Sequence, residues 1–507
     1  MRSVLAQGTP PAVPDRLNLA AHALPGAEPH PDRSALQVVG PTGAERWSYA
    51  RLAAAVRGAG TILAAQGLAP GDRVLLRLAN SPAFPVAFLG AIAAGLVPVP
   101  TSAQLTAAEA GKLAALIAPR LILADDGVAL PDPAPCPVLP AAALARAEDA
   151  APCPFADTGA HDLAYIIFPS GTSGPPCPVM HAHRAILARA LMRDGWEGLE
   201  TGDRLMHAGA FNWTYTLGTG LMDPWLAGAT ALIPAPGVEA AQLPLLLRRF
   251  DATIFAAAPG VFRPMLRAGL PPLPRLRHAL AAGESLSPAL RDAWRAATGT
   301  EIHEALGMSE VSTFVSGSPA RPAPPGHAGY PQAGRRVAVL GPEGAPVPRG
   351  HAGVLAVHRS DPGLFLGYWD DPAATAARLA GEWFLTGDTV AMAEDGAIAY
   401  LGRDDDMLNA GGFRVSPMEV EAAMAGLPGL TEAAAVEHAV RPGVTLIALA
   451  YTGPAALDEA TLSDHAARSL ARYKQPRLWR HLPALPRNAN GKLNRKAVRA
   501  LLKDAPE

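Results

Sequence analysis

Cysteine is scarce in this chain: Cys136, Cys153 and Cys177 are the only three in 507 residues. They make no disulfide framework and no paired metal-ligand spacing, so a reducing cytoplasm is the expected setting. An excess of charge of either sign is also missing. With 43 basic and 45 acidic residues the net charge is -2, which leaves no electrostatic reason to expect nucleic acid or an acidic membrane surface as partner. Long apolar runs are absent as well. Leu78–Ala108 has no charged residue before Glu109, but Asn80, Ser81, Pro82, Pro85, Pro98 and Pro100 cut it into pieces too short to span a bilayer. A buried helix between two buried strands is expected there, and no membrane span. Met1–Ala20 is interrupted by prolines and has no continuous apolar core, so it does not read as a signal peptide.

What the chain has in quantity is proline and glycine, 52 and 49 residues, which implies many defined turns between short elements. Its length exceeds what one core supports, so two or three domains are expected. Strand-like and helix-like runs alternate: Leu36–Val39, Tyr49–Gln66, Arg73–Leu78, Ala83–Ala94, Val97–Val99, Ala107–Ile117, Leu121–Ala124. The alternation resumes with Arg184–Met192, Ala229–Ile233, Leu243–Phe250 and Thr253–Ala256. This is the pattern of a mostly parallel sheet wrapped by helices. From Gly353 short β units take over, with a hairpin signal at Glu394-Asp395-Gly396 between Thr389–Met392 and Ile398–Leu401. A helix follows, marked by Ser416 as N-cap, Pro417, and Glu419 completing a capping box. Strands at Ala433–Val436 and Thr445–Tyr451 and a helix at Thr461–Arg472 complete a small α+β region. The expected fold is therefore α/β: a large N-terminal domain of mostly parallel sheets with a distorted β region (1–403), then a small α+β C-terminal domain (404–507).

The most informative stretch runs from Tyr165 to His183. An apolar, β-prone run gives way to Ser170-Gly171-Thr172-Ser173-Gly174, whose small residues leave backbone N–H groups and three hydroxyls free to surround an anion. It is not the Walker pattern, which needs four residues between its glycines and a Lys-Ser/Thr after them. Taken alone, a solvated Ser/Gly turn accounts for it equally well. Further on, Phe211–Gly218 crowds three aromatics into five positions, as core segments do. Ala281–Ser285 and Glu304–Glu310 each set a carboxylate after a glycine-containing turn at a probable strand end, where open α/β sheets present ligand groups. Glu310 could hold a hard cation such as Mg²⁺, or be a surface-turn glutamate.

Five stretches now stand in one order: Ser170–Gly174, Gly307–Glu310, Thr386-Gly387-Asp388, Gly402–Asp406 with Gly412–Arg414, and Gly491-Lys492 with Arg495. In this order they resemble the adenylate-forming superfamily of acyl- and aryl-CoA ligases, peptide-synthetase adenylation domains and luciferases, with benzoate-type ligases nearest in pattern. The resemblance covers nearly the whole chain; each motif is short, but five in order are specific. It implies an acid–thiol ligase that sets a carboxylate against the α-phosphate of ATP, so two anions must be brought together and pyrophosphate charge offset.

By that resemblance Ser170–Gly174, with Thr172 at its centre, would hold the departing phosphates, and Glu310 would place Mg²⁺. Gly283 and Glu284 fall where the family lays backbone against adenine, and Leu306, Gly307, Met308 and Ser309 belong to the same nucleotide wall. Asp388 matches the carboxylate that accepts both ribose hydroxyls, and Arg403 its partner. Lys492 matches the catalytic lysine of a mobile C-terminal domain, bridging carboxylate and phosphate oxygens as a compact point charge. For thioester formation that domain would turn about Asp405 and present Gly412 to the pantetheine tunnel of CoA. The implied substrates are ATP, CoA and a small carboxylic acid, and a homodimer is the implied assembly.

Two positions depart from the family pattern. The usual Pro-Lys-Gly after the loop is Pro176-Cys177-Pro178 here, and loss of one charge-assisted contact costs about 1.5–3 kcal/mol. Either ATP binding is weaker for it or another cation, such as Arg184 or Arg414, compensates, and Cys177 reads as a neutral small residue, since no activating partner is visible. Leu306 stands where tyrosine often stacks on adenine, as in benzoate-type relatives. Trp213, Thr214 and Tyr215 are in register with the family's acyl pocket, and Gly307 leaves that pocket open where acetate-specific relatives carry a bulky aromatic. The acid is therefore expected to be larger than acetate: aryl or cyclic first, medium-chain second. Asn212, where amino-acid-activating domains place an Asp, argues against an amino acid. Transfer to a carrier-protein thiol and a nucleotide-binding pseudoenzyme are the alternatives.

Overall fold

The structure, a computed structural model, describes all residues except 170–176, 285, 404–406, 411–412, 442–443, 488–492 and 504–507, with backbone alone at 409–410, 413–414, 440–441, 444 and 503. The chain divides into two compact units, one made of 5–336 and 358–383, the other of 1–4, 337–357 and 384–507. Residues 337–357 join the C-terminal part because their strands, Arg336–Leu340 and Ala352–His358, share a sheet with Trp383–Met392. The division expected at 403/404 thus falls inside the second unit, and Asp405 lies outside the described residues.

The larger unit is built on a sheet whose main strands, in chain order, are β1 (Ser34–Val39), β2 (Arg204–His207), β3 (Thr230–Pro234), β4 (Ile254–Ala257), β5 (His278–Ala282), β6 (Ile302–Met308) and β7 (Ser312–Ser316). Their spatial order is β7-β6-β5-β4-β2-β3-β1; β1 to β6 run parallel and β7 turns back antiparallel on β6. Every residue of β3, β4 and β5 is buried, as expected of parallel strands covered on both faces, and this is why they read as continuous apolar runs. A second parallel sheet contains Arg73–Arg77, Val97–Pro100, Leu121–Ala124 and Val138–Pro140. Between its strands runs the helix Ala83–Ala93, buried from Phe84 onward. Among the described residues no helix is long and apolar enough to cross a membrane.

The alternation anticipated from the sequence is present, with half of the ends exact and the rest shifted by one or two residues. Several strands are additional, among them Val138–Pro140, Arg204–His207 and Ser312–Ser316; another, Ala44–Ser48, pairs antiparallel with β1. Its Glu45 and Arg46 are exposed, and a charged edge strand carries no apolar signature. The aromatic segment becomes a chain of helical turns, Thr214–Leu217, Gly218–Met222 and Asp223–Leu226, the middle one π-helical.

In the smaller unit a hairpin joins Trp383–Met392 to Ile398–Arg403. Strands Glu432–Arg441, Val444–Thr452 and Leu478–His481 form a sheet. Helices Pro417–Met424 and Glu459–Ser469 pack Val420, Met424, Leu462 and Ala466 against Ala435, Ile447 and Leu449. The helix Arg495–Lys503 adds Val498 and Leu502 against Val436 and Ala448. Ser416 caps its helix by accepting the Glu419 N–H at 3.4 Å. The reciprocal arm of the expected capping box is replaced, because the Glu419 carboxylate pairs with Lys474.

Candidate active site

The parallel strands β5 and β6 end side by side, and the site is built on the turns that follow them. After Ala282 the chain enters Gly283 at φ +93°, a left-handed conformation that favours glycine. A Cβ there would stand 2.8 Å from the Trp213 ring, so the turn touches the segment expected to line the acyl pocket. Trp213 meets Tyr215 edge-on at 5.5 Å, and the Tyr215 hydroxyl donates to the Leu280 carbonyl at 3.2 Å. Thr214 between them is buried, and its Oγ1 has no hydrogen-bond partner among the described residues.

At the end of β6 the register with β7 shifts between Leu306 and Gly307. A Cβ on Gly307 would fall 2.4 Å from the Ser312 carbonyl oxygen and 2.6 Å from the Thr313 Cα. The lack of a side chain at Gly307 therefore has a local cause: the returning strand crosses so closely that none fits without moving backbone.

Glu310 follows in the same turn, 7% exposed. The Tyr368 hydroxyl donates to its Oε1 at 2.7 Å, and burial together with the Glu310 charge raises the pKa of that phenol, keeping it a donor. The Phe365 N–H donates to the Glu310 carbonyl at 2.8 Å. His181 Nε2 donates to the Ser309 carbonyl at 2.8 Å, which leaves Nδ1 as a bare, buried acceptor. Burial first pushes the His181 pKa down to about 4, so the ring is neutral. Glu304, earlier on β6, is pushed up to about 7 by burial, despite the Leu286 N–H and Arg291.

Ser170–Gly174 lies outside the described residues, but its flanks are defined. Leu163–Ile167 and Val179–Ala182 pair antiparallel with Ile167 opposite Val179, and Tyr368 pairs with Val179 from the other side. Trp369 donates its N–H to the Pro178 carbonyl at 2.9 Å. The return from the loop is thereby tied to the strand that carries Tyr368. The Cys177 thiol is pushed up by burial and by the carboxylates of Asp371 and Glu310, against the charge of Arg378; it is a neutral thiol, as expected. Arg184 is not the replacement cation: its guanidinium is buried and donates to His161 Nδ1 at 3.1 Å, to the Asp361 carbonyl at 3.2 Å and to the Pro362 carbonyl.

In the smaller unit Asp388 and Arg403 face each other across the hairpin. Arg403 donates to Asp388 Oδ1 at 3.2 Å and to the Thr386 carbonyl at 3.1 Å. The buried Thr386 hydroxyl accepts the Asp388 N–H at 3.1 Å and donates to the Leu355 carbonyl at 2.8 Å. The two residues expected on the ribose are thus brought together and braced. Arg495 donates to Glu421 Oε2 at 3.0 Å and to the Ala435 carbonyl at 3.1 Å, anchoring the helix that follows Lys492. Lys492 and Gly412 are outside the described residues, and Arg414 is described in its backbone alone.

No group of three or more His, Cys, Asp or Glu that could hold a metal occurs among the described residues. One buried, oriented carboxylate suits Mg²⁺, which is held by one or two carboxylates together with substrate phosphates.

Residues 25–369 match the AMP-binding enzyme family, and 419–492 match the AMP-binding enzyme C-terminal domain. The chain belongs to the AMP-binding enzymes. This enzyme is 31% identical over 527 residues to the benzoate–CoA ligase of Thauera aromatica, covering 97% of this chain and 98% of that one. It is 30% identical over 486 residues to the 3-hydroxybenzoate–CoA ligase of Aromatoleum sp. (strain CIB), covering 91% and 92%. Among solved structures it resembles a benzoate CoA ligase from Burkholderia xenovorans LB400, with a TM-score of 0.83, 28% identity and coverage of 95% and 99%. ATP-bound MatB from Rhodopseudomonas palustris gives 0.87, 26%, 96% and 99%. The adenylate-forming membership and the α/β fold read from five short motifs are borne out. Tyr368 and His181 are the site residues that sequence reasoning did not assign; only the neighbourhood of His181 to the glycine-rich loop hinted at it.

Proposed function

We propose that the enzyme joins a carboxylic acid larger than acetate, an aryl or cyclic acid first and a medium-chain acid second, to CoA at the expense of ATP. In the first step a carboxylate oxygen bonds to the α-phosphorus as the α–β bridge breaks, giving acyl-AMP and pyrophosphate. In the second the CoA sulfur bonds to the acyl carbon, the bond to AMP breaks, and the thiol proton is released. One observation carries this reading: Trp213–Tyr215, the Gly283 turn and the Gly307–Glu310 turn converge at the ends of adjacent parallel strands, the crevice where open α/β sheets bind ligands.

In this reading Glu310, oriented by Tyr368, holds Mg²⁺, which when bound offsets phosphate charge. Ser170–Gly174 clasps the leaving pyrophosphate, Gly283 and Glu284 with Leu306–Ser309 wall the adenine, and Asp388 with Arg403 takes the ribose. A C-terminal domain turning about Asp405 brings Lys492 for the first step and Gly412 for the second. Cytoplasmic location and homodimerisation belong to the same reading. The test is a panel of carboxylic acids with ATP, Mg²⁺ and CoA, following pyrophosphate and thioester together. Thioester from an aryl or cyclic acid is the expected result. Pyrophosphate without thioester would redirect the reading to a carrier-protein thiol, and neither product would leave a nucleotide-binding pseudoenzyme.

A further inference from the structure

Behind Thr214, between the helix Ala185–Met192 and the β6–β7 turn, lies a cavity of about 10 Å³ lined among others by His181, Arg189, Met192, Thr214, Val311 and Ser312. That is room for one water-sized group. The cavity adjoins the proposed acyl wall: Thr214 belongs to that wall, and Ser312 supplies the carbonyl that a Gly307 side chain would strike.

Leu19, Ile186, Met222 and Val311 make much of the lining apolar, and two polar side chains in it have an atom left unpaired. Thr214 is 8% exposed, and its Oγ1 has no hydrogen-bond partner among the described residues. His181 is 2% exposed, and its Nδ1 is equally without one. A buried polar atom left unpaired costs about 1–3 kcal/mol, so two of them lining one cavity point to a group that comes from outside the chain. Ser312 is held at φ +70°, an uncommon conformation for a residue with a side chain. Its hydroxyl accepts from Arg189 at 2.9 Å.

The lining also excludes classes of ligand. Arg189, the cation in the wall, is bound through two nitrogens to both oxygens of Asp223, so it is not free to receive a second carboxylate. The neighbouring Glu197 carboxyl is raised well above its ordinary range, by burial first and then by Asp223. An alkyl tail in the cavity would leave the Thr214 and His181 atoms unpaired.

We propose that the acid this enzyme activates carries a small neutral hydrogen-bonding group, a hydroxyl, which enters this cavity, donates its one proton to His181 Nδ1 and accepts the proton of the Thr214 hydroxyl. The inference rests on the acyl-CoA ligase reading above and names the substituent of its substrate. It makes Thr214 a specificity-determining residue.

The test compares kcat/KM for thioester formation across unsubstituted, hydroxy-, amino- and methyl-substituted benzoates, in wild type, Thr214→Val and Thr214→Ser. In wild type one hydroxy isomer should exceed both its parent and its methyl isostere by about tenfold or more, most of it in the acid KM, since a site built to bond a hydroxyl rejects analogues lacking it. Thr214→Val should collapse that hydroxy-to-methyl ratio and Thr214→Ser should keep it; because each ratio is taken within one variant, a general loss of activity does not affect it. An amino isomer matching the hydroxy one would widen the donor class without changing its site. Equal turnover of hydroxy and methyl acids in wild type overturns this inference while leaving the ligase reading intact. Absence of thioester from every acid overturns both.

Discussion

Replacing Tyr368 by phenylalanine removes one hydroxyl and almost no volume, which isolates its hydrogen bond to Glu310. That bond is 2.7 Å long and ends on a carboxylate only 7% exposed, so solvent is poorly placed to substitute for it. Hydrogen bonds to charged groups contribute about 1.5–3 kcal/mol, and about 1.4 kcal/mol is tenfold in rate. If Glu310 meets its metal and phosphate ligands only when so oriented, Tyr368→Phe should lower kcat/KM for ATP by about 10- to 150-fold. The assay is pyrophosphate release at varied ATP and Mg²⁺, beside the thermal midpoint of the unliganded protein. Glu310→Gln should be defective too, and adding Tyr368→Phe to it should cost little more, because the two substitutions break the same interaction. A Tyr368→Phe enzyme with a lower thermal midpoint but an ATP kcat/KM within twofold of wild type would refute the reasoning, leaving the pair a packing contact.

Other outcomes follow from the same geometry. Gly307→Ala places a methyl 2.4 Å from a backbone oxygen; overpacking of this kind costs about 1–3 kcal/mol, so the melting midpoint should fall and the acid KM rise, and an unchanged midpoint would contradict the close crossing. Cys177→Lys puts a cation beside Asp371 and Glu310 and should lower the ATP KM. If the KM does not move, the charge is already supplied, and Arg378→Ala should then raise it. Lys492→Ala should cripple adenylate formation yet spare thioester formation from supplied acyl-AMP; equal loss in both halves would sink its assigned role.

Burial lowers His181, His183 and His303 to about 4 and His207 to about 3. The unfolded chain therefore takes up these protons near pH 6.5 while the fold refuses them, so their contribution is complete above pH 6.5 and lost as pH falls toward 4. Glu304, raised to about 7, works in the opposite sense: its contribution is present below about 4.5 and lost as pH rises to 7. His22 and His278 are lowered by burial as well, and Glu197 is raised like Glu304; the histidines outnumber the carboxyls six to two, so the denaturant midpoint should be lower at pH 5 than at pH 7, and Glu304→Gln should steepen that slope. A flat profile would mean that the histidines are not buried neutral.

The parts of the fold that could be read from the chain are those where burial writes itself into composition. β3, β4 and β5 are apolar throughout because both faces are covered, and Ala83–Ala93 is apolar all round because it lies between layers. The edge strand Ala44–Ser48 was not legible, since its exposed Glu45 and Arg46 look like a turn. Gly283, Gly307 and Glu310 could be placed at strand ends by their spacing, and Asp388 with Arg403 by family pattern. What the pattern does not carry is who holds whom. Tyr368 and Glu310 are 58 residues apart, in segments that meet only because Gly367–Tyr368 pairs with the strand after the glycine-rich loop. Arg184 reads as an available cation in the sequence, but the carbonyls of Asp361 and Pro362 occupy it in the fold.

Activation of the acid as an acyl-adenylate leaves an isotopic trace. An accepted acid labelled with ¹⁸O in both carboxyl oxygens is supplied together with ATP, Mg²⁺ and CoA, and the products are weighed. Attack of the carboxylate on the α-phosphorus, followed by thiol attack at the acyl carbon, predicts AMP carrying one ¹⁸O and unlabelled pyrophosphate. Thioester formed alongside AMP free of label would contradict it.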